Sequence, residues 1–215
     1  MSLLKKLLSH CRKPTGRFGR LLARGMNVGH ASLTNWGLSH VEVPENAIAL
    51  DIGCGGGRTL ERLATEARSG KAVGIDYSEA SIAVARRKNR QLIHSGRVEV
   101  FHSSVSSMPF EDATFDLVTA VETHYFWPDI SKDLLEIRRV MKPGGQLVIV
   151  CAVYKNARFD RRNLRLVNTV GMTYLSVQEF GEILDAAGYT QTRLSEDNRK
   201  GWLCAIGVRP AQSAA

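Results

Sequence analysis

Apolar and polar positions along this chain alternate between two periods. Short apolar runs read as buried strands: Ala47-Ile48-Ala49-Leu50, ending at Asp51, and Ala72-Val73-Gly74-Ile75, ending at Asp76. Val98-Glu99-Val100-Phe101, Asp116–Val121 and Gln146–Val153 read the same way, the last rich in β-branched residues. Between them the spacing turns helical. Leu60, Leu63, Ala64 and Ala67 predict one helix, and Ser78 caps a second that runs to about Arg90 with Ile82, Ala83 and Ala85 apolar. Residues Ile130–Met141 predict a third, stopped by Pro143-Gly144-Gly145. A capping box, Ser176-Val177-Gln178-Glu179, opens a fourth through Ala187, which Gly188 ends. Two late strands, Thr190–Ser195 and Trp202–Val208, predict an antiparallel hairpin at one edge, and Pro210–Ala215 is expected to fray. Strands alternating with helices imply an α/β fold, a mostly parallel sheet covered on both faces.

The first strand–helix junction carries the chemistry. Asp51-Ile52-Gly53-Cys54-Gly55-Gly56-Gly57-Arg58 joins a strand to a helix through a glycine-rich turn. Glycines let a ligand approach the backbone, and a helix start presents unpaired N–H groups. A dinucleotide fingerprint needs a third glycine or alanine at the sixth position from Gly53, and that position is Arg58. A carboxylate at the strand end suits a cationic ligand better than a pyrophosphate. Asp76, 25 residues after Asp51 and at the end of the second strand, can accept bonds from two ribose hydroxyls or act as a helix N-terminal charge beside Ser78.

Asp-x-Gly-x-Gly-x-Gly resembles motif I of the class I S-adenosylmethionine-dependent methyltransferases. Later stretches agree in order and spacing: Ser106-Ser107-Met108-Pro109-Phe110, then Phe115-Asp116-Leu117-Val118, and Arg138-Arg139-Val140-Met141-Lys142-Pro143-Gly144-Gly145. The resemblance covers roughly residues 47–151 and is of the small-molecule methyltransferase type. It implies a doubly wound, Rossmann-like sheet of seven strands. It also implies S-adenosylmethionine as cofactor and S-adenosylhomocysteine as product. On that reading Asp51 with Gly53, Cys54, Gly55 and Gly57 holds the amino-acid part, and Asp76 with Tyr77 the ribose. Family members often carry an acid for the adenine amino group about five residues before the Pro-Phe pair. Ser104 stands there instead, so a neutral hydroxyl is expected to accept that bond, with the Val105 N–H facing a ring nitrogen.

In an open α/β sheet the ligand lies beyond the carboxyl ends of the strands, which points to the loop Glu122-Thr123-His124-Tyr125-Phe126-Trp127-Pro128-Asp129. Glu122 can bind a hydroxyl, amine or cation, and also border the cofactor. His124 is a candidate general base. Tyr125, Phe126 and Trp127 can enclose an acceptor or simply pack the next helix. Residues 26–37 form a second candidate wall, with His30 and Trp36 its polar and aromatic members; Tyr154 and Tyr174 are weaker candidates.

Composition narrows the rest. Of a net charge of +8, seven cations (Lys5, Lys6, Arg12, Lys13, Arg17, Arg20, Arg24) precede the first acid, Glu42, so the remainder of the chain is near neutral, at about +1. The expected division is a basic helical N-terminal lid or arm over 1–40 and a cofactor-binding domain over 41–215. The arm is a solvated helix, a nucleic-acid contact or, through Leu3, Leu4, Leu7 and Leu8, a lipid contact. No apolar run approaches the roughly 20 residues a membrane span needs, and the cysteines (11, 54, 151 and 204) form no metal-spaced pair, so a cytoplasmic setting and no metal are expected. No Asn/Asp-Pro-Pro-Tyr/Phe tetrapeptide follows the fourth strand and no magnesium-type carboxylate set is visible. The favoured expectation is an enzyme that methylates a small-molecule acceptor, without stable membrane insertion and with nucleic acid disfavoured. An RNA-modifying methyltransferase using the basic arm and a non-catalytic S-adenosylmethionine-binding protein are the alternatives.

Overall fold

The computed structural model describes residues 29–211, together with Gly16, Gly19, Leu21 and Gly25. The cations of the basic arm, Leu3–Leu8 and residues 26–28 lie outside the described residues. Seven strands make one sheet in the order β3-β2-β1-β4-β5-β7-β6. These are β1 Ile48–Ile52, β2 Lys71–Asp76, β3 Val98–His102, β4 Phe115–Val121, β5 Met141–Cys151, β6 Thr190–Asp197 and β7 Trp202–Val208. Strands β1 to β5 pair in parallel and β7 pairs antiparallel with both β5 and β6, which puts the expected hairpin at the edge.

Helices cover both faces: α1 Ala31–Leu38, α2 Arg58–Glu66, α3 Glu79–Lys88, α4 Arg90–His94, α5 Ile130–Val140, α6 Asp160–Val170 and α7 Val177–Ala186. The strand residues divide between two apolar layers as the pleat dictates. Leu50, Ile52, Val118, Ala120, Leu147 and Ile149 face one layer with Leu134, Ile137 and Phe180. Ala49, Leu117, Val148 and Val150 face the other with Leu38, Leu60 and Leu63. Each of the larger side chains (Val, Leu, Ile, Phe), fully buried, contributes roughly 1.5–3 kcal/mol, so the central strands need no polar alternation. Among the described residues no helix is long and apolar enough to cross a membrane.

Several boundaries differ from the pattern. The second helix stops at Lys88, where the Asn89 amide turns back onto the carbonyls of Gly57 and Ala85, and α4 follows separately. Met141 is strand, not helix, because it pairs with Phe115; residues 142–145 then loop out before Gln146 pairs with Leu117. Pro143-Gly144-Gly145 therefore makes an excursion inside β5 rather than separating helix from strand. Two sequence stretches meet there. Lys142 Nζ lies 2.9 Å from both oxygens of Asp116, and Asp116 Oδ2 accepts the Ile48 N–H at 2.8 Å. The Phe-Asp and Lys-Pro-Gly-Gly stretches thus bind the amino ends of β4, β5 and β1 together. Helix α6 was not predicted, and β5 ends at Cys151 rather than Val153.

Candidate active site

The strand order turns outward in both directions from β1 and β4, so the crevice at their carboxyl ends is the topological switch point of the sheet. Parallel register brings Asp51 beside Thr119 of β4 and Gly74 of β2, and Asp76 beside His102 of β3. The ends of four neighbouring strands therefore present Asp51, Asp76, Ser104 and Glu122 at one edge.

Asp51 is 2% exposed and accepts the Thr119 hydroxyl at 2.7 Å. Burial pushes its carboxyl up to about 7, and the nearby Asp76 pushes the same way against hydroxyl bonds from Thr119 and Thr59. No lysine or arginine is paired with it among the described residues, so a cation placed there would restore the charged form. The turn after it is tightly fixed. Gly53 has φ +66°, and a Cβ on it would stand 2.2 Å from Thr123 Oγ1. The Gly55 N–H donates to Asp76 Oδ2 at 2.9 Å, the Cys54 N–H to the Ile75 carbonyl, and the Gly57 carbonyl accepts the Asn89 amide. Cys54 is buried, which pushes its thiol up.

Asp76 holds two loops at once. Its other oxygen accepts the Ser78 N–H at 2.8 Å, while Ser78 caps α3 through Ser81. The helix-start reading is thus realised, and among the described residues each carboxylate oxygen accepts one N–H bond, leaving a lone pair for a further donor. Burial raises its carboxyl above the ordinary range, opposed by those two N–H bonds. Tyr77 is half-buried, its carbonyl 2.9 Å from His102 Nε2. Ser104 is exposed at the rim, with its hydroxyl accepting the Ser106 N–H at 3.2 Å, and the Val105 side chain enters the core.

On the other side of the crevice Glu122 adopts φ +58°, a left-handed conformation uncommon for a residue with a Cβ. Its Oε1 accepts the Tyr125 hydroxyl at 2.7 Å and the Ala152 N–H at 2.6 Å, and its Oε2 lies 4.0 Å from His30 Nε2 at the start of α1. The two expected walls meet at this pair. Tyr125 does not face the crevice: it is 2% exposed, and its hydroxyl also accepts the Ala152 and Val153 N–H groups at 3.2 and 3.1 Å. It fixes Glu122 and β5 rather than meeting an acceptor.

His124 corrects the sequence expectation more sharply. Its ring has no exposed surface, neither nitrogen has a hydrogen-bond partner among the described residues, and it packs tilted or edge-on against Tyr125, Trp127 and Phe180 at 4.1, 6.4 and 5.1 Å. Burial pushes it down to about 3, so it is neutral near pH 7 and out of reach as a base. Phe126 and Trp127 pack the core, and Trp36 stacks on His40 and Trp202. Tyr154 and Tyr174 are spent on Glu196 and Asp160. The positions missed from sequence are Thr119, Thr123 and Asn89. A buried threonine in the otherwise apolar run of β4, opposite Asp51, was the one available signal.

Residues 50–149 match the family model described as "Methyltransferase domain". The sterol 4-C-methyltransferase of Caenorhabditis elegans is 33% identical over 123 residues, 57% of this chain and 36% of that protein. The demethylmenaquinone methyltransferase of Bacillus subtilis is 39% identical over 109 residues, 50% of this chain and 46% of that protein. The chain thus spans less than half the length of these relatives. Among solved structures, an S-adenosylmethionine-dependent methyltransferase from Aquifex aeolicus superposes with a TM-score of 0.73 at 23% identity, covering 89% of this chain and 99% of that one. The Haemonchus contortus phosphoethanolamine N-methyltransferase 2, in complex with S-adenosyl-L-methionine, gives 0.71 at 18% identity, covering 83% and 52%. At those identities the two structures speak to the fold.

Proposed function

We propose that the chain is a class I S-adenosylmethionine-dependent methyltransferase and that it methylates a small, lipid-soluble acceptor bearing a hydroxyl group. The observation that carries the cofactor reading is Asp51: a buried carboxylate with no cationic partner among the described residues, raised to about 7, at the foot of a fixed glycine turn. The ammonium of a bound S-adenosylmethionine would supply the missing charge. Asp76, each of whose oxygens accepts one N–H bond among the described residues, would receive the ribose hydroxyls beside Tyr77, and Ser104 with the Val105 N–H would meet the adenine at the exposed rim. S-adenosylmethionine brings a methyl group already activated by its sulfonium, so the protein's work is alignment, exclusion of water and proton removal.

Glu122 is suited to the last task. With Oε1 occupied by Tyr125 and Ala152, Oε2 is the oxygen left to accept the acceptor's hydroxyl proton, and His30 stands opposite to orient it. The apolar acceptor class is supported by the sterol and demethylmenaquinone named for the two relatives. The test is incubation of the protein with S-adenosylmethionine and a lipid extract, with mass spectrometry for species that gain one methylene. Tight cofactor binding by calorimetry without any such product overturns the catalytic reading and leaves a binding protein.

A further inference from the structure

Helix α6, between β5 and α7, carries a charged surface that the crevice does not use. Residues 155–165 include Lys155, Arg158, Arg161, Arg162 and Arg165 against a single acid, Asp160. That acid is turned inward: its Oδ1 accepts the Asn156 N–H at 2.9 Å and the Tyr174 hydroxyl at 2.5 Å. Lys155 is neutralised by Glu179. The four arginines have no carboxylate at ion-pair distance among the described residues; Arg158 and Arg162 lie over the Phe159 ring, 5.5 and 4.9 Å from its centre.

The helix buries only Asn163, whose amide donates to the Tyr154 carbonyl. Helical spacing sets Arg161, Leu164, Arg165 and Asn168 on one outward face, and all four are exposed. Leu164 is 44% exposed, a large apolar side chain standing among guanidiniums. An exposed leucine flanked by arginines is the pattern of a surface that meets anionic lipid, where the apolar group enters the headgroup layer and the cations meet phosphates. The flank of the same helix, through Arg162, reaches the segment that holds Glu122. Arg162 reaches the Ala152 carbonyl at 3.4 Å, and the Ala152 N–H holds Glu122.

We propose that the outward face of α6 docks on an anionic phospholipid bilayer, so that a membrane-dissolved acceptor enters beside Glu122. The proposal rests on the lipid-soluble acceptor argued above. RNA is the less suited occupant, because single-strand recognition uses open aromatic faces and Phe159 is covered by Arg158, Arg162 and the backbone of Gly201.

Co-sedimentation of the full chain with phosphatidylcholine vesicles, with and without phosphatidylglycerol, tests it. Binding is expected only with phosphatidylglycerol, and Arg161→Glu/Arg165→Glu should weaken it about tenfold or more. Calorimetry with S-adenosylmethionine reports whether that variant is folded; if it is not, Arg161→Gln/Arg165→Gln should show a smaller loss of the same sign. Retained vesicle binding in the α6 variants, with loss in Arg17→Glu/Arg20→Glu, assigns the contact to the N-terminal arm and overturns the proposal. Preference for an RNA oligonucleotide over vesicles, or no vesicle binding at all, overturns it too. Methylation of a detergent-dispersed acceptor would then still stand, which separates this failure from failure of the function itself.

Discussion

Asp51 and Asp76 lie almost out of water beneath the glycine turn, and the cost of keeping them there shows in how Asp51 titrates. Its folded-state value, about 7, is above the ordinary 3.8. For a group raised in this sense, the folded state is favoured most at low pH and loses stability as pH climbs toward 7, with no further loss above. Asp51→Asn removes that dependence. Thermal melts of the ligand-free protein should show the variant gaining on the wild type between about pH 4 and 7, while calorimetry shows its S-adenosylmethionine affinity collapsing. Cofactor binding to the wild type should release a proton and tighten through the same interval; affinity independent of pH would remove Asp51 from the ammonium site. His124 has the opposite sign. Depressed to about 3 from 6.5, it withdraws stability as pH falls through that window, at about 1.4 kcal/mol per unit. His124→Leu should flatten the acid limb of the stability curve and leave turnover in place, whereas a catalytic histidine would lose turnover. Glu122 and Tyr125 separate by another readout. Glu122→Gln should lower kcat by roughly 10²-fold or more, as loss of a general base does. Tyr125→Phe should cost less, because the Ala152 N–H still holds the carboxylate.

At the scale of elements, the glycine turn is fixed by its neighbour across the crevice as much as by its own sequence. Gly53→Ala meets two penalties, a left-handed φ and a Cβ placed against Thr123. Urea unfolding should show a loss of about 1–3 kcal/mol. The Gly53→Ala/Thr123→Ala pair should recover only the steric share, which a double-mutant cycle reads directly. The same dependence on neighbours explains what could and could not be read in advance. Apolar runs bounded by Asp51 and Asp76 gave strands because central parallel strands are buried on both faces. The capping box at Ser176–Glu179 gave α7 because the cap is local chemistry. Helix α6 has neither mark: Phe159 makes no side-chain cap and a single side chain is buried. The acids at the strand ends were visible for the same local reason. Their neighbours in the loop were not, since Glu122 and His124 stand two residues apart on a turn whose packing sends one to the crevice and the other to the core. The pairing of His30 with Glu122 across a gap of 92 residues has no sequence signature at all.

For the whole molecule, that pairing depends on how α1 sits on the sheet. The helix crosses β5 and β7 at Gly37, where a Cβ would stand 2.3 Å from a methyl of Val150 and where the Cys204 thiol lies 3.6 Å from the Gly37 carbonyl. Trp36 stacks on Trp202 from the same helix, with ring centres 5.7 Å apart. Val150 in turn accepts the Glu122 N–H through its carbonyl, so one β5 residue sets both the height of α1 and the backbone of Glu122. A larger residue at Gly37 must lift α1, and His30 at its start moves with it. The proposed cofactor ligands Asp51 and Asp76 belong to β1 and β2, which β4 separates from β5 and β7 in the sheet. Gly37→Ala should therefore bind S-adenosylmethionine as the wild type does, by calorimetry, yet turn over more slowly with a raised KM for the acceptor. Gly37→Ala/Val150→Ala, which vacates the space, should restore much of the rate. Equal turnover in the Gly37→Ala protein would show that α1 only covers the sheet and that Glu122 acts without His30.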